Sequence, residues 1–258
     1  MDFISHTLVS GTSAHGLVER EFTLGEITGV LWSPTSGSTA PGSPLLLSGH
    51  SGGMHKKAPG LVANALHCVE TYGFLVAAID APGHGDRPRN RQDQQWVDDI
   101  QSARAGGRSI ASAVVDYNMS LADRAVPEWQ RTLDALQALP DIGAEAPIGY
   151  GGVTLGVATG LMLASVESRI AALSFGGVFV ADALIESARK ITVPLEYRIP
   201  WDDDHIDRTS GLALFDAFAS KDKTLHAHPG SHFQVPEHEQ DSSARFLARH
   251  LGGTRHSI

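Results

Sequence analysis

The run Pro147-Ile148-Gly149-Tyr150-Gly151-Gly152-Val153-Thr154-Leu155-Gly156-Val157-Ala158-Thr159-Gly160-Leu161-Met162 decides how this chain folds. It reads as a short apolar strand ending at Tyr150, a glycine-rich turn, and a helix starting at Leu155. Gly152 and Gly156 stand two residues before and two after Thr154. They give a tight turn the room to lift the Thr154 side chain out at the top of a sheet. Alone, a five-residue pattern is weak; a strand before it and a helix after it make it moderately specific.

Outward from that turn, short apolar runs alternate with helical patterns. Leu45-Leu46-Leu47, Phe74 to Ile79, Ile170 to Phe175, Pro194 to Ile199 and Thr224 to His226 read as strands. Helices are expected at about Pro59 to Tyr72, Pro127 to Leu139, from Leu155, near Ala181 to Lys190, at Gly211 to Ala219 and at Glu237 to His250. Continuous apolar strands separated by helices predict a mostly parallel sheet with helices on both faces, an α/β fold. Earlier in the chain, Glu19 to Leu24 and Ile27 to Trp32 flank Gly25-Glu26 as an antiparallel hairpin. Pro34 to Pro44 reads as a loop. The segment at about 87-125 breaks the rhythm: it is polar from Arg87 to Asp93, then carries Ile110, Val114, Tyr117 and Leu121 at helical spacing. It predicts a helical insertion over the sheet's carboxyl edge, with an ordinary surface excursion as the other reading.

No repeat or long linker divides the 258 residues, so 1-258 is expected to be a single domain. Twenty Lys and Arg against 29 Asp and Glu give a formal charge of −9, which argues against nucleic acid as a partner. One cysteine, Cys68, excludes an internal disulfide framework. The chain opens Met1-Asp2 without a basic region, and no apolar run approaches the roughly 20 residues of a spanning helix. The expectation is a cytoplasmic protein, without a membrane partner or a cofactor, acting on a small-molecule substrate.

With these elements in place, the sequence resembles the α/β-hydrolase superfamily, and more closely its dienelactone-hydrolase-like esterases and acyl hydrolases, from about Leu45 to Leu251. Members carry a Gly-x-Ser-x-Gly elbow; here Thr154 stands where their serine nucleophile belongs. Ser48-Gly49-His50-Ser51-Gly52-Gly53 resembles the family's oxyanion loop, which makes the backbone N–H groups of Ser51 and Leu155 the expected donors; a plain turn is the alternative. Asp80-Ala81-Pro82-Gly83-His84-Gly85-Asp86-Arg87 resembles a turn whose family role is structural, so neither His84 nor Asp86 is a catalytic candidate. In Trp201-Asp202-Asp203-Asp204-His205-Ile206, Asp203 with Ile206 fits the family's acid pattern, and Asp202 is the alternative. His232 falls where the family keeps its histidine. Thr154, Asp203 and His232 then follow the nucleophile, acid, histidine order of that fold. His232 is expected within hydrogen-bond reach of both others.

A zinc site drawn from His226, His228, His232, His238 and the aspartates competes for the same residues. No His-Glu-x-x-His helix is present, and the triad already explains His232, so no metal is expected. Trp96, Tyr117 and Trp201 are the candidates to line a substrate pocket, with packing of the insertion as their other reading.

Threonine complicates the chemistry. Its hydroxyl can do what serine does, but its methyl strains the elbow and crowds an approaching acyl carbon. Three readings follow: a hydrolase of a small ester, lactone or thioester; a lyase, dehydratase or cyclase using His232 as base; and a silent binding module. The acid and histidine favour an enzyme, since a binder needs neither.

Overall fold

The computed structural model describes residues 1–8, 17–35, 42–232 and 234–253. Its strands are β1 (Asp2–Leu8), β2 (Leu17–Leu24), β3 (Ile27–Pro34), β4 (Leu45–Gly49), β5 (Leu75–Ile79), β6 (Ile148–Gly152), β7 (Ile170–Phe175), β8 (Leu195–Pro200) and β9 (Lys223–His228). They form one sheet in the order β1-β2-β3-β5-β4-β6-β7-β8-β9. The pairs along β1, β2, β3 and β5 are antiparallel, and those from β5 to β9 are parallel. The expected hairpin is β2 and β3, turning at Gly25-Glu26. Outside it lies β1, a polar edge strand that the sequence reading did not anticipate. Most of the expected loop from Pro34 to Pro44 lies outside the described residues.

The helices are α1 (Pro59–Tyr72), α2 (Arg91–Ala105), α3 (Ala111–Gln137), α4 (Leu155–Ala164), α5 (Asp182–Ala188), α6 (Arg208–Ala217) and α7 (Glu237–Leu251). Strand residues alternate between two buried faces, as the period of two requires. Leu45, Leu47, Tyr150, Leu173, Phe175 and Tyr197 pack on the side of α3 to α6. Leu46, Val76, Ala78 and Ala172 pack with residues of α1 and α7 on the other. Both faces being covered explains why β5, Leu75-Val76-Ala77-Ala78-Ile79, is buried at every position. Among the described residues, no helix is long and apolar enough to cross a membrane.

One helix differs from its expectation. A helix was expected to begin at Pro127, yet α3 begins at Ala111 and runs through Pro127 for 27 residues. An interior proline removes a backbone hydrogen bond and disfavours the helix by about 3 kcal/mol. Here Tyr117, Leu121, Ala125, Trp129, Leu133 and Leu136 form one continuous buried stripe, and its burial outweighs that loss. The segment at 87-125 is therefore α2 together with the front of a helix that continues into the core.

Gly156 sets how closely α4 approaches the sheet. A Cβ there would stand 2.4 Å from the Gly49 carbonyl oxygen, which is backbone and has little freedom to retreat. Gly156→Ala should therefore destabilise the fold by about 2 kcal/mol, read as a lower urea midpoint with unchanged slope.

Candidate active site

Thr154 stands between β6 and α4 with φ 49° and ψ −107°. Among the described residues it is the only non-glycine with positive φ. For a β-branched side chain this conformation costs on the order of 1–3 kcal/mol and persists only where surrounding bonds enforce it. They do: Thr154 N–H donates to the Gly177 carbonyl at 3.0 Å, and the Thr154 carbonyl accepts from Val157 and Ala158. Tyr150 braces the same turn through its hydroxyl, which donates to the Gly156 carbonyl at 2.9 Å.

Three groups stand around this turn and its cavity. The Gly52 N–H donates to Thr154 Oγ1 at 3.3 Å. Leu155 is the first residue of α4, where a backbone N–H has no partner within the helix. His232 lines the same cavity as Thr154, and its Nδ1 lies 2.8 Å from Asp203 Oδ2. The other oxygen of Asp203 accepts the N–H groups of His205 at 2.8 Å and Ile206 at 2.9 Å. Burial pushes the Asp203 carboxyl up, but the His232 bond, the two backbone N–H groups and the His232 charge together hold it below the usual carboxylate range. With Nδ1–H donating to that carboxylate, the neutral ring of His232 carries its lone pair on Nε2. Asp202, the alternative acid, instead accepts the Gly230 N–H at 3.4 Å.

The fold as a whole has counterparts among solved structures. Over 97% of this chain and all of the other, it matches a cold-adapted esterase from an Arctic intertidal metagenomic library, with a TM-score of 0.74 and 28% identity. The chain has the α/β-hydrolase fold. An acetyl xylan esterase from Paenibacillus matches with a TM-score of 0.66 and 16% identity, over 97% of this chain and 90% of its own. Est1E from Butyrivibrio proteoclasticus, solved with ferulic acid bound, matches with a TM-score of 0.66 and 12% identity, over 90% and 99%. No protein-family model matches the sequence, and no curated protein does.

In this α/β-hydrolase fold a cavity of about 750 Å³ opens at the carboxyl ends of the strands, lined by Thr154, Asp203, His232, Ser51 and Gly52 among others. Tyr117 from α3 also lines it. Trp96 and Trp201, expected beside it, are not among the lining residues. Trp96 packs beside Tyr117, Leu121 and Leu155, so its ring joins α2 to the body. Trp201 is 45% exposed, with the Arg208 guanidinium over its ring at 4.1 Å. In the loop after β4, the N–H that reaches Thr154 belongs to Gly52 and not to Ser51. The Ser51 carbonyl is engaged instead, accepting from the His50 ring and from Met54 N–H.

Two supports around the site were not assigned in the sequence reading. His50 is buried between the loop after β4 and the turn after β5: its Nδ1 lies 2.8 Å from the Ser51 carbonyl, and its Nε2 accepts the Ala81 N–H at 3.0 Å. Accepting at Nε2 requires the neutral ring. Burial, opposed by the Ser51 bond and helped by nearby His84, lowers its pKa from 6.5 to about 4. The second support is His205, whose ring meets that of His232 edge-on at 5.2 Å, with Phe179 on another side at 6.5 Å. A histidine two residues after an acid has no sequence signal that separates it from a loop residue.

His50 makes a prediction about pH. Its folded pKa lies below its unfolded one, so the unfolded chain binds the extra proton between them. Stability contributed by the neutral ring is complete above pH 6.5 and is lost as pH falls toward 4, about 3 kcal/mol in all. Urea melts of wild type and His50→Gln at pH 7 and pH 4 should show the smaller loss in the variant; parallel losses would refute the role.

The Asp80 turn is held by a dense set of bonds. Asp80 is fully buried, accepting from Lys56 N at 2.8 Å, Lys56 Nζ at 2.7 Å and Thr28 Oγ1 at 2.7 Å. Gly85, at φ 57°, passes so close that a Cβ would stand 2.2 Å from Asp80 Oδ1. Arg87 bridges this turn to α3, donating to the Asp80 carbonyl at 3.0 Å and pairing with both oxygens of Glu128 at 2.6 and 2.7 Å. Arg124 of α3 in turn pairs with Asp93 of α2. Charged forks thereby tie the Asp80 turn to α3 and α2 to α3. Among the described residues, no cluster of three His, Cys, Asp or Glu side chains is placed to hold a metal ion. His226 lies between Glu239 at 2.8 Å and Glu196 at 3.7 Å.

Proposed function

We propose that the protein hydrolyses small carboxylic esters, lactones or thioesters through Thr154, with His232 as general base and Asp203 fixing its tautomer. The observation that carries the reading is the backbone of Thr154. A β-branched residue is held at φ 49°, where glycine would be unstrained, and its hydroxyl faces a cavity shared with an aspartate-paired histidine. A strained residue at such a position is what a presented nucleophile requires. The neighbours named as esterases support the same chemistry.

In the proposed step, Nε2 of His232 takes the Thr154 proton as Oγ1 attacks the carbonyl carbon. The oxyanion that forms accepts from the N–H groups of Gly52 and Leu155. Collapse expels the alcohol or thiol, which leaves with the proton held by His232. Water, deprotonated by the same nitrogen, then attacks the acyl carbon, and Thr154 recovers its proton as the acid departs. Asp203 stays ionised throughout, consistent with its lowered pKa.

Thr154→Ser removes the methyl and keeps the hydroxyl. Its kcat/KM on p-nitrophenyl acetate should equal that of wild type or exceed it by up to about a hundredfold, the range a misplacement of about 1 Å commands. A large loss in the serine variant would mean that the methyl positions the hydroxyl.

A further inference from the structure

The cavity at Thr154 extends in two directions. One lobe lies under α2 and α3. The other passes between the sheet and the pair α1 and α7, with Cys68 and Leu247 in its walls. Its floor crosses four neighbouring strands. Ser48 of β4 is in register with Gly151 of β6, Gly151 with Ser174 of β7, and Ser174 with Glu196 of β8. Arg198, two residues past Glu196, points to the same face. Gly151, between Ser48 and Ser174, contributes no side chain and lines the cavity through its backbone.

Two polar groups of the floor lack partners. Ser174 is 3% exposed, and its Oγ has no hydrogen-bond partner among the described residues. Nε of Arg198 is buried and likewise unpartnered. It lies 3.8 Å from Glu196 Oε1, beyond hydrogen-bond range, while the guanidinium's contact with the Glu239 carbonyl is a long 3.5 Å. Buried donors without acceptors are costly enough that native structures hold few of them, and each calls for a partner.

The surrounding charges decide what that partner is. Glu196 already accepts from Ser243 and Ser242, and its carboxylate stands against the guanidinium. Glu239 lies on the other side of the same cluster, paired with His226. The Arg198 charge is therefore countered, and a second anion would meet two carboxylates. A neutral oxygen would meet only the free N–H and the free hydroxyl.

We propose that this lobe receives an arm of the substrate bearing a neutral oxygen function, a hydroxyl or ketone, which accepts from Arg198 Nε–H and bonds to the Ser174 hydroxyl. The inference rests on the reading of Thr154 as the centre of an ester hydrolase and names the substrate class. Either arm of an ester can carry the oxygen, and paired substrates separate them. Terminal hydroxy-alkanoate p-nitrophenyl esters are compared with plain alkanoates of equal length, and hydroxyalkyl acetates with alkyl acetates, each over a series of chain lengths. At one length in one series, the oxygenated member should have a kcat/KM about tenfold higher or more, the scale of a hydrogen bond to a charged group. A terminal carboxylate should give no such gain. Ser174→Ala and Arg198→Lys should each reduce the ratio at least about threefold, the lysine keeping the charge opposite Glu196 while removing the Nε–H donor. No preference in either series, or a preference for the carboxylate, would overturn the proposal. Calorimetric binding of the free hydroxy acids and alkanediols, against fatty acids and alkanols, needs no turnover. A hydroxyl preference there, with no ester cleaved, would retire the hydrolase reading and leave the subsite standing.

Discussion

Thr154→Ala and His232→Ala should each lower the turnover of p-nitrophenyl acetate by at least about a thousandfold, and the double variant should be no slower than the worse of the two. On the proposed mechanism nucleophile and base act as one unit, so removing the second after the first removes little more. Whatever rate persists would come from the N–H groups of Gly52 and Leu155. Asp203→Asn should fall by a similar order, because an amide no longer favours the tautomer that leaves Nε2 basic, whereas Asp202→Asn should retain activity. Intact mass spectrometry after a fluorophosphonate should show an adduct on wild type and none on Thr154→Ala. Esterase activity that survives Thr154→Ala unchanged would end the nucleophile assignment and would point to His232 acting without an acyl-enzyme.

The largest effect on stability is expected from Lys56→Met. Lys56 and Asp80 are both buried, and the ammonium also pairs with Asp86. Burial opposes the charge on each partner. The bonds between them outweigh it, holding the Asp80 carboxyl below its usual range and the Lys56 amine above its own. Removing the lysine leaves a buried carboxylate without its counter-charge, a loss of about 3–5 kcal/mol. For a chain of this size that is a fall in Tm of roughly 10 °C, readable by calorimetry at pH 7. A change of under about 1 kcal/mol would show that Thr28 and the backbone N–H groups suffice for Asp80.

The parallel sheet was legible because its inner strands carry runs apolar at every position, as in Leu45-Leu46-Leu47 and Leu75-Val76-Ala77-Ala78-Ile79, a pattern that burial on both faces explains. The elbow was legible because Gly152 and Gly156 are sterically required: a Cβ at Gly152 would meet the Gly156 backbone at 2.7 Å. Asp203 was separated from its acidic neighbours by its spacing to Ile206, and that spacing is physical, since the Ile206 N–H binds the carboxylate. The start of α3 was misread because Pro127 is a strong local signal for a first turn, while the stripe that overrides it spans 20 residues and gains its energy from distant partners. The two tryptophans were misplaced for a related reason. An aromatic ring near a motif looks the same in sequence whether it faces a cavity, packs a helix or stacks under Arg208. The roles of His50 and Gly52 depend on two loops meeting in space, and nothing local marks that meeting.

One consequence follows from α3 being a single helix. The residues it presents to the cavity, Val114, Tyr117 and Asn118, belong to the same rod that buries Trp129 and Leu136 in the core. This wall of the mouth is not a lid with its own hinge, because rotating it would unpack the interior. Selectivity and folding are thus written on one element. Changes at Tyr117 that open the mouth should register as shifts in melting temperature.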